Sequence, residues 1–336
     1  MNDAVFIESM DHDLHSTVGI TNFKFVLLIH IALILLELRT NHLQSEIIIH
    51  RSIHPTDNYR SLVDDDRTNL SGVILMTKGI LIVGYGTRNG NLEEVLDTQV
   101  KRLKCRGWQH VRTAYFRVMS PSIPEALEMM VDEGVDQIVA IPYYISEGTL
   151  TKELIPEKLG LGTSESGKII IKGKEVDLSL ASAFDTSFTL TDIICDKIAD
   201  AEGDMDCGIL ILGHGTRFRT QSNMRTIKMN AERVQARGYK YVMYGFNEFC
   251  KPTIPEALDE LEKMGVKRII AIPLFIALGI HPSRDIPKKL GIPEYSSGGE
   301  ITVNGRKIDL YYTRPVEANP RLLDVLDQKA KEYLGE

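Results

Sequence analysis

Three side chains suited to holding a divalent transition ion stand far apart in this chain, each just past a short apolar run. His214 lies in Leu212-Gly213-His214-Gly215-Thr216-Arg217, Glu248 in Gly245-Phe246-Asn247-Glu248-Phe249, and His281 in Gly279-Ile280-His281-Pro282-Ser283-Arg284-Asp285. Two imidazoles and a carboxylate suit Co, Ni, Fe or Zn. The carboxylate can instead serve as a proton acceptor beside a two-histidine site. Taken singly, each residue has a plainer reading: a histidine in a turn is more often hydrogen-bonded scaffold, and a loop glutamate is more often solvated. Gly-His-Gly-Thr also resembles an anion cradle at a helix N-terminus. It lacks both the G-x-G-x-x-G and the G-K-[ST] patterns of nucleotide sites. A phosphohistidine enzyme would carry arginine where Gly213 stands.

The elements that must position these residues occur twice. Lys78-Gly79-Ile80-Leu81-Ile82-Val83-Gly84-Tyr85-Gly86-Thr87-Arg88 matches the stretch that ends at Arg217. Pro121-Ser122-Ile123-Pro124-Glu125-Ala126-Leu127 matches Pro252-Thr253-Ile254-Pro255-Glu256-Ala257-Leu258, and the Gly134–Pro142 run matches Gly265–Pro273. The near-constant offset, about 130 residues, means two complete copies, 76–204 and 205–336. Each copy reads as a buried strand (80–83; 209–212) and a helix (91–106; 222–237) closed by Gly107 or Gly238. A second strand (111–116; 241–246) precedes a helix opening on Pro (123–133; 254–264). A third strand (137–142; 268–273), a hairpin (169–178; 301–311) and a last helix (189–201; 320–334) complete the copy. This alternation predicts an α/β fold: two similar three-layer α/β/α lobes with parallel sheets, duplicated and facing each other across a cleft. Ligands in such sheets sit beyond the carboxyl ends of the strands, where His214, Glu248 and His281 all fall.

The two copies differ where chemistry would occur. Tyr85, Arg117 and Leu150 occupy the positions of His214, Glu248 and His281. A framework kept in both copies, with all three polar tips lost in one, assigns the chemistry to residues 205–336 and makes 76–204 a partner wall.

Composition narrows the function classes. A net charge of −7 without a long basic run argues against nucleic acid as a partner. Four cysteines with no C-x-x-C pair suggest neither a zinc knuckle nor a disulfide framework, and fit a reducing cytoplasm. Residues 1–75 differ in character. Their apolar run at 23–38 contains Lys24, His30 and Glu37, and its uninterrupted part is shorter than the ~18–20 residues of a membrane span. A membrane-associated helix, a buried helix, and a segment foreign to the natural product compete. Met76, directly before the first repeat, favours the last, with the segment poorly packed.

These residues resemble the sirohydrochlorin chelatases of the small cobaltochelatase type, among the ATP-independent class II chelatases. The matching stretches are Leu212–Arg217, Phe246–Leu258, Ile272–Phe275 and Gly279–Pro287, and the resemblance spans both repeats, in a tandem form with one cleft. It implies a chelatase that inserts a divalent metal, Co2+ or Ni2+, into sirohydrochlorin in tetrapyrrole and cobalamin biosynthesis, with the metal as substrate and no tightly bound cofactor. It implies His214 and His281 as metal ligands and Glu248 as their acidic helper. Because the substrate carries many carboxylates, Arg217, Arg219, Lys251 and Arg284, with Arg88 and Arg117 from the other lobe, are candidates to meet them. Arg117, replacing an acid, would turn a metal-side position into a carboxylate clamp. A monomer or homo-oligomer without membrane attachment is expected. The competing functions are a metal or tetrapyrrole carrier without catalysis and a metal-dependent hydrolase.

Overall fold

The computed structural model describes residues 76–217 and 222–335. The expectations for residues 1–75 and for Arg219 therefore lie outside the described residues. Two five-stranded sheets are present. In the first, β1 (Lys78–Gly84), β2 (His110–Tyr115), β3 (Gln137–Pro142), β4 (Ser166–Ile171) and β5 (Lys174–Leu180) run in the order β2-β1-β3-β5-β4. In the second, β6 (Gly208–Gly213), β7 (Tyr241–Phe246), β8 (Arg268–Pro273), β9 (Gly298–Val303) and β10 (Arg306–Tyr312) run β7-β6-β8-β10-β9. All neighbours are parallel except the hairpins β4–β5 and β9–β10.

The unbroken apolar runs have a direct cause. β1 and β6 lie inside their sheets with a strand on each side and helices on both faces, so successive residues are all buried. Ile80 and Ile82 face one core while Leu81 and Val83 face another, the period-two alternation of a strand. Register pairs Ile80 with Val111 and Val139, and Ile209 with Val242 and Ile270. Every first-turn tip of one lobe therefore has its counterpart at the same height in the other.

Helices α1 (Leu92–Cys105), α2 (Ile123–Asp132), α3 (Ile155–Lys158) and α4 (Phe188–Asp200) belong to the first repeat, and α5 (Ser222–Ala236), α6 (Ile254–Lys263), α7 (Ile286–Leu290) and α8 (Pro320–Leu334) to the second. α2 and α6 start on capping boxes. The Ser122 and Thr253 hydroxyls accept from the N–H of Glu125 and Glu256, whose carboxylates reach back to the cap N–H at 2.7 and 2.8 Å. With α3 and α7 they cover the outer faces of the sheets.

The inner faces show an exchange that chain order does not announce. α8, the end of the second repeat, lies on the first sheet: Leu322, Leu326 and Ala330 pack in the core of Ile80, Val139 and Leu96. Trp108 Nε1 donates to Asp327 at 2.8 Å, and Tyr143 donates to the Glu317 carbonyl at 2.8 Å. Reciprocally, α4 packs on α5 and β8 of the second lobe. Thr191 Oγ1 donates to Asn230 at 2.7 Å, and Arg268 donates to the Ala201 carbonyl at 2.9 Å. The two inner cores merge into one cluster through these helices. Among the described residues, no helix is long and apolar enough to cross a membrane.

Candidate active site

The β6 tip is built around Gly215, whose φ is +88°. A Cβ there would stand 1.7 Å from the carbonyl oxygen of Glu248, so only glycine lets the two strand tips lie this close. The ladder continues past the strands: Asn247 N donates to Gly213 O and Glu248 N to His214 O, both at 2.9 Å. His214 and Glu248 are therefore backbone neighbours although 34 residues separate comparable positions of the two tips.

Each histidine has one ring nitrogen engaged. His214 Nδ1 lies 2.9 Å from the Gly215 carbonyl. A carbonyl can only accept, so Nδ1 carries the proton and Nε2 keeps its lone pair. His281 opens a π-helical turn, His281–Asp285, closed by the bond from Ile286 N to His281 O. Such turns recur at functional sites. Its Nδ1 is 2.7 Å from Asp285 Oδ2, and this charge-assisted contact again puts the proton on Nδ1 and frees Nε2. The Asn247 amide nitrogen sits 3.1 Å from the same Nδ1. Its oxygen accepts from Lys289 Nζ at 2.8 Å, and Lys289 also donates to the Asn247 carbonyl. The two imidazole centroids are 4.9 Å apart, nearly perpendicular, and Phe249 and Phe275 flank His214 at 6.2 Å each. Two bare imidazole nitrogens in an aromatic setting can hold a borderline cation without enclosing it.

Glu248 stands at the β7 tip beside this pair. Its carboxylate meets no hydrogen-bond partner among the described residues, and those residues form no group of three or more His, Cys, Asp or Glu suited to a metal. The geometry thus supplies a two-histidine site with a nearby carboxylate, which leaves Glu248 available as a proton acceptor.

The first lobe holds both histidine loops in place. Asn91 occupies the N-cap of α1 yet makes no side-chain cap bond to it. Its Oδ1 instead accepts from Leu278 N at 2.8 Å, and its Nδ2 donates to Glu317 at 2.6 Å. Leu278 lies three residues before His281. Burial works against ionising Glu317, but Arg314 and Asn91 bonds hold its carboxyl below the usual range. On the other side Asn223 Oδ1 accepts from Gly215 N at 3.0 Å, and its Nδ2 donates to Ser146 Oγ of the first lobe at 3.3 Å. Between these elements opens a cavity of about 230 Å³, lined by Tyr144, Ser146, Leu150, His214, Gly215 and Asn223.

The candidate cations separate into four groups. Arg217 stacks on the exposed Phe249 ring, 4.1 Å from its centroid, at the mouth of the histidine pair. Arg88 and Arg284 line a second inter-lobe cavity of about 470 Å³ with Ile280 and Tyr295, where Arg284 is paired with Glu294 at 2.8 Å. Arg117 donates to the Tyr85 hydroxyl at 2.8 Å in the first lobe. Lys251 is committed to Glu256 at 2.9 Å and is turned to solvent. Sequence reasoning passed over Asn91, Asn223, Asn247, Asp285 and Lys289. Of these only Asp285, four residues from His281, carried a local signal.

The CbiX family model matches the chain twice, over residues 79–201 and 208–333. The sirohydrochlorin cobaltochelatase of Methanopyrus kandleri is 32% identical over 141 residues, 38% of this chain and 97% of that protein. The probable sirohydrochlorin cobaltochelatase of Halobacterium salinarum is 24% identical over 276 residues, 76% of this chain and 91% of that protein. Among solved structures, SirB from Bacillus subtilis with Fe3+ is similar with a TM-score of 0.60 at 18% identity, covering 77% of this chain and 96% of that one. That likeness is one of fold: two α/β lobes in tandem.

Proposed function

The chain belongs to the CbiX family, and from that premise we propose that it is a sirohydrochlorin cobaltochelatase, inserting Co2+ into sirohydrochlorin without a nucleotide. The observation that carries the site assignment is the His214–His281 pair. Two imidazoles, each with Nδ1 engaged and Nε2 bare, face each other at 4.9 Å in one lobe only. The four unpaired cysteines support a reducing, cytoplasmic setting.

The reaction exchanges one dication for two protons. The metal leaves water and imidazole for four ring nitrogens, and two of those nitrogens release N–H protons, so the ring becomes a dianion that balances the ion. His214 and His281 present the metal through Nε2. Neutral imidazoles bind such an ion firmly enough to strip water and weakly enough to hand it on. Glu248, unpaired beside them, accepts one pyrrole proton, and the second passes to an imidazole Nε2 that the metal has left. Asp285 accepts from His281 Nδ1 and keeps the ring aimed, as acceptor partners of metal-ligating histidines do. Phe249 and Phe275 supply apolar surface for the macrocycle, and Arg217 on Phe249 meets a peripheral carboxylate. Arg88 and Arg284 extend that basic rim along the neighbouring cavity. Insertion needs no nucleotide where binding energy bends the ring toward the metalated geometry.

Anaerobic incubation with sirohydrochlorin and Co2+, followed by absorbance, tests the reading. His214→Ala and His281→Ala should each lower the rate at least 100-fold. A His214→Ala protein that inserts cobalt at the wild-type rate overturns the site. Wild-type protein that binds Co2+ without accelerating insertion identifies a carrier instead, and faster insertion of Ni2+ than Co2+ at equal concentrations identifies a nickelochelatase.

A further inference from the structure

The first lobe has lost the metal-binding residues, and what replaced them forms a site of opposite character. At the β1 and β2 tips Arg117 donates to the Tyr85 hydroxyl at 2.8 Å and lies 5.0 Å over its ring. Tyr85 stacks on Phe116, at 6.2 Å and 14°, and Lys158 Nζ stands 5.2 Å over Phe116. Lys158 corresponds to Lys289, which in the second lobe serves Asn247. With Phe116 in the place of Asn247, that ammonium has no amide to bind. Among the described residues no carboxylate is ion-paired with Arg117 or Lys158.

A second, independent observation points the same way. Tyr144 occupies the position of Phe275. Its hydroxyl oxygen is buried and has no hydrogen-bond partner among the described residues, while the residue lines the cavity that also contains Leu150 and His214. A buried hydroxyl without a partner is costly, and phenylalanine stands at this position in the sister lobe. Burial, with Tyr85 adding to it, drives the phenol's pKa upward, so the group is a donor in waiting rather than an acceptor.

From this we propose that the vestigial half-site is a carboxylate-binding site, in which Arg117, Lys158 and the Tyr144 hydroxyl receive an acidic arm of the tetrapyrrole whose ring nitrogens face His214 and His281. The inference rests on the chelatase reading for the identity of the ligand. It gives the duplication a division of labour. Cations at one tip repel the metal and attract the acid; bare imidazole nitrogens at the other attract the metal. A substrate with acidic arms and a nitrogen centre would then enter in one orientation only.

The test is direct binding of metal-free sirohydrochlorin, read by quenching of its fluorescence, which does not depend on insertion. Arg117→Gln should weaken binding about 10- to 100-fold, the range for one charge-assisted hydrogen bond, and flatten the dependence of Kd on salt. Co2+ binding and the unfolding temperature should stay as in the wild type, because Arg117 is exposed. Tyr144→Phe separates binding from structure. Deleting an orphaned hydroxyl should leave the unfolding temperature unchanged or raise it, while sirohydrochlorin Kd rises about 3- to 10-fold. Wild-type affinity for sirohydrochlorin in both variants overturns the proposal, as does wild-type protein that fails to bind the metal-free macrocycle. If His214→Ala leaves insertion intact but Arg117→Gln still weakens binding, the metal-site reading fails and this one stands.

Discussion

Gly86 and Gly215 offer one perturbation at two equivalent positions with different expected consequences. Both have φ of +88°. A methyl group at Gly215 would stand 1.7 Å from Glu248 O, and one at Gly86 would stand 1.9 Å from Arg117 O. An ordinary carbon–oxygen approach is roughly 3.3 Å, so either alanine must push two strand tips apart by about 1.5 Å. The left-handed backbone adds about 1–2 kcal/mol for a residue with a Cβ. Together these set a loss of about 2–4 kcal/mol for each variant, or about 4–8 °C in unfolding temperature for a body of this size. The functional outcomes diverge. In Gly215→Ala the displaced tip carries His214 and neighbours Glu248, and a shift above 1 Å at reacting groups costs on the order of 100-fold in rate. Gly86→Ala displaces the tips that carry Tyr85 and Arg117 and leaves the histidine tips in place, so Co2+ binding should be retained while sirohydrochlorin KM rises. Thermal unfolding, Co2+ titration and cobalt insertion at a temperature where both variants remain folded make the comparison. Gly215→Ala that is folded, binds Co2+ normally and inserts it at the wild-type rate refutes the argument that the glycine sets the spacing of the site.

Other outcomes follow from single contacts. Asp285→Ala removes the acceptor that orients His281, and Co2+ affinity should fall about 10- to 100-fold with little change in unfolding temperature. Asn91→Ala loses bonds to Leu278 and Glu317, which should lower stability by about 2–3 kcal/mol in urea titration and also weaken Co2+ binding, since Leu278 leads into His281. Burial disfavours ionised Asp327, yet the Trp108 N–H and Lys331 hold its carboxyl below the usual range. That stabilisation is present above the unfolded value and is lost as pH falls through the lower folded one. Urea midpoints between pH 5 and 3 should therefore drop less steeply in Trp108→Phe than in the wild type.

The strands and the pairing of the two histidine tips were legible because they rest on local pattern. Four consecutive apolar residues before a glycine turn mark an interior parallel strand, and the second copy fixes the alignment. His214 and His281 then stand out as tips that the first copy lacks. The orienting groups were not legible. Asn91 looks like an ordinary N-cap, and only the folded chain shows its amide spent on Leu278. Tyr144 looks like one more aromatic in a buried run until its hydroxyl is found without a partner among the described residues. Arg284 and Lys251 read as free cations, but each has an acid that tertiary contact or a capping box brings to it. The destination of α4 and α8 could not be read either. Both have an apolar stripe that would fit either sheet, and a stripe does not specify which neighbour covers it.

That exchange of helices determines where the chain connects the lobes. The segment 201–207 looks like the inter-lobe linker, yet it only joins α4 to β6 within one packing unit. The chain passes between units twice, at 181–187 and at 313–319. Both passages are fastened: Asp185 accepts from Arg225 and Thr226, each at 2.6 Å, and Glu317 from Asn91 and Arg314. Each lobe is thus completed by a helix that the chain delivers across a separate fastened passage, and a nick at 201–207 would cut neither passage.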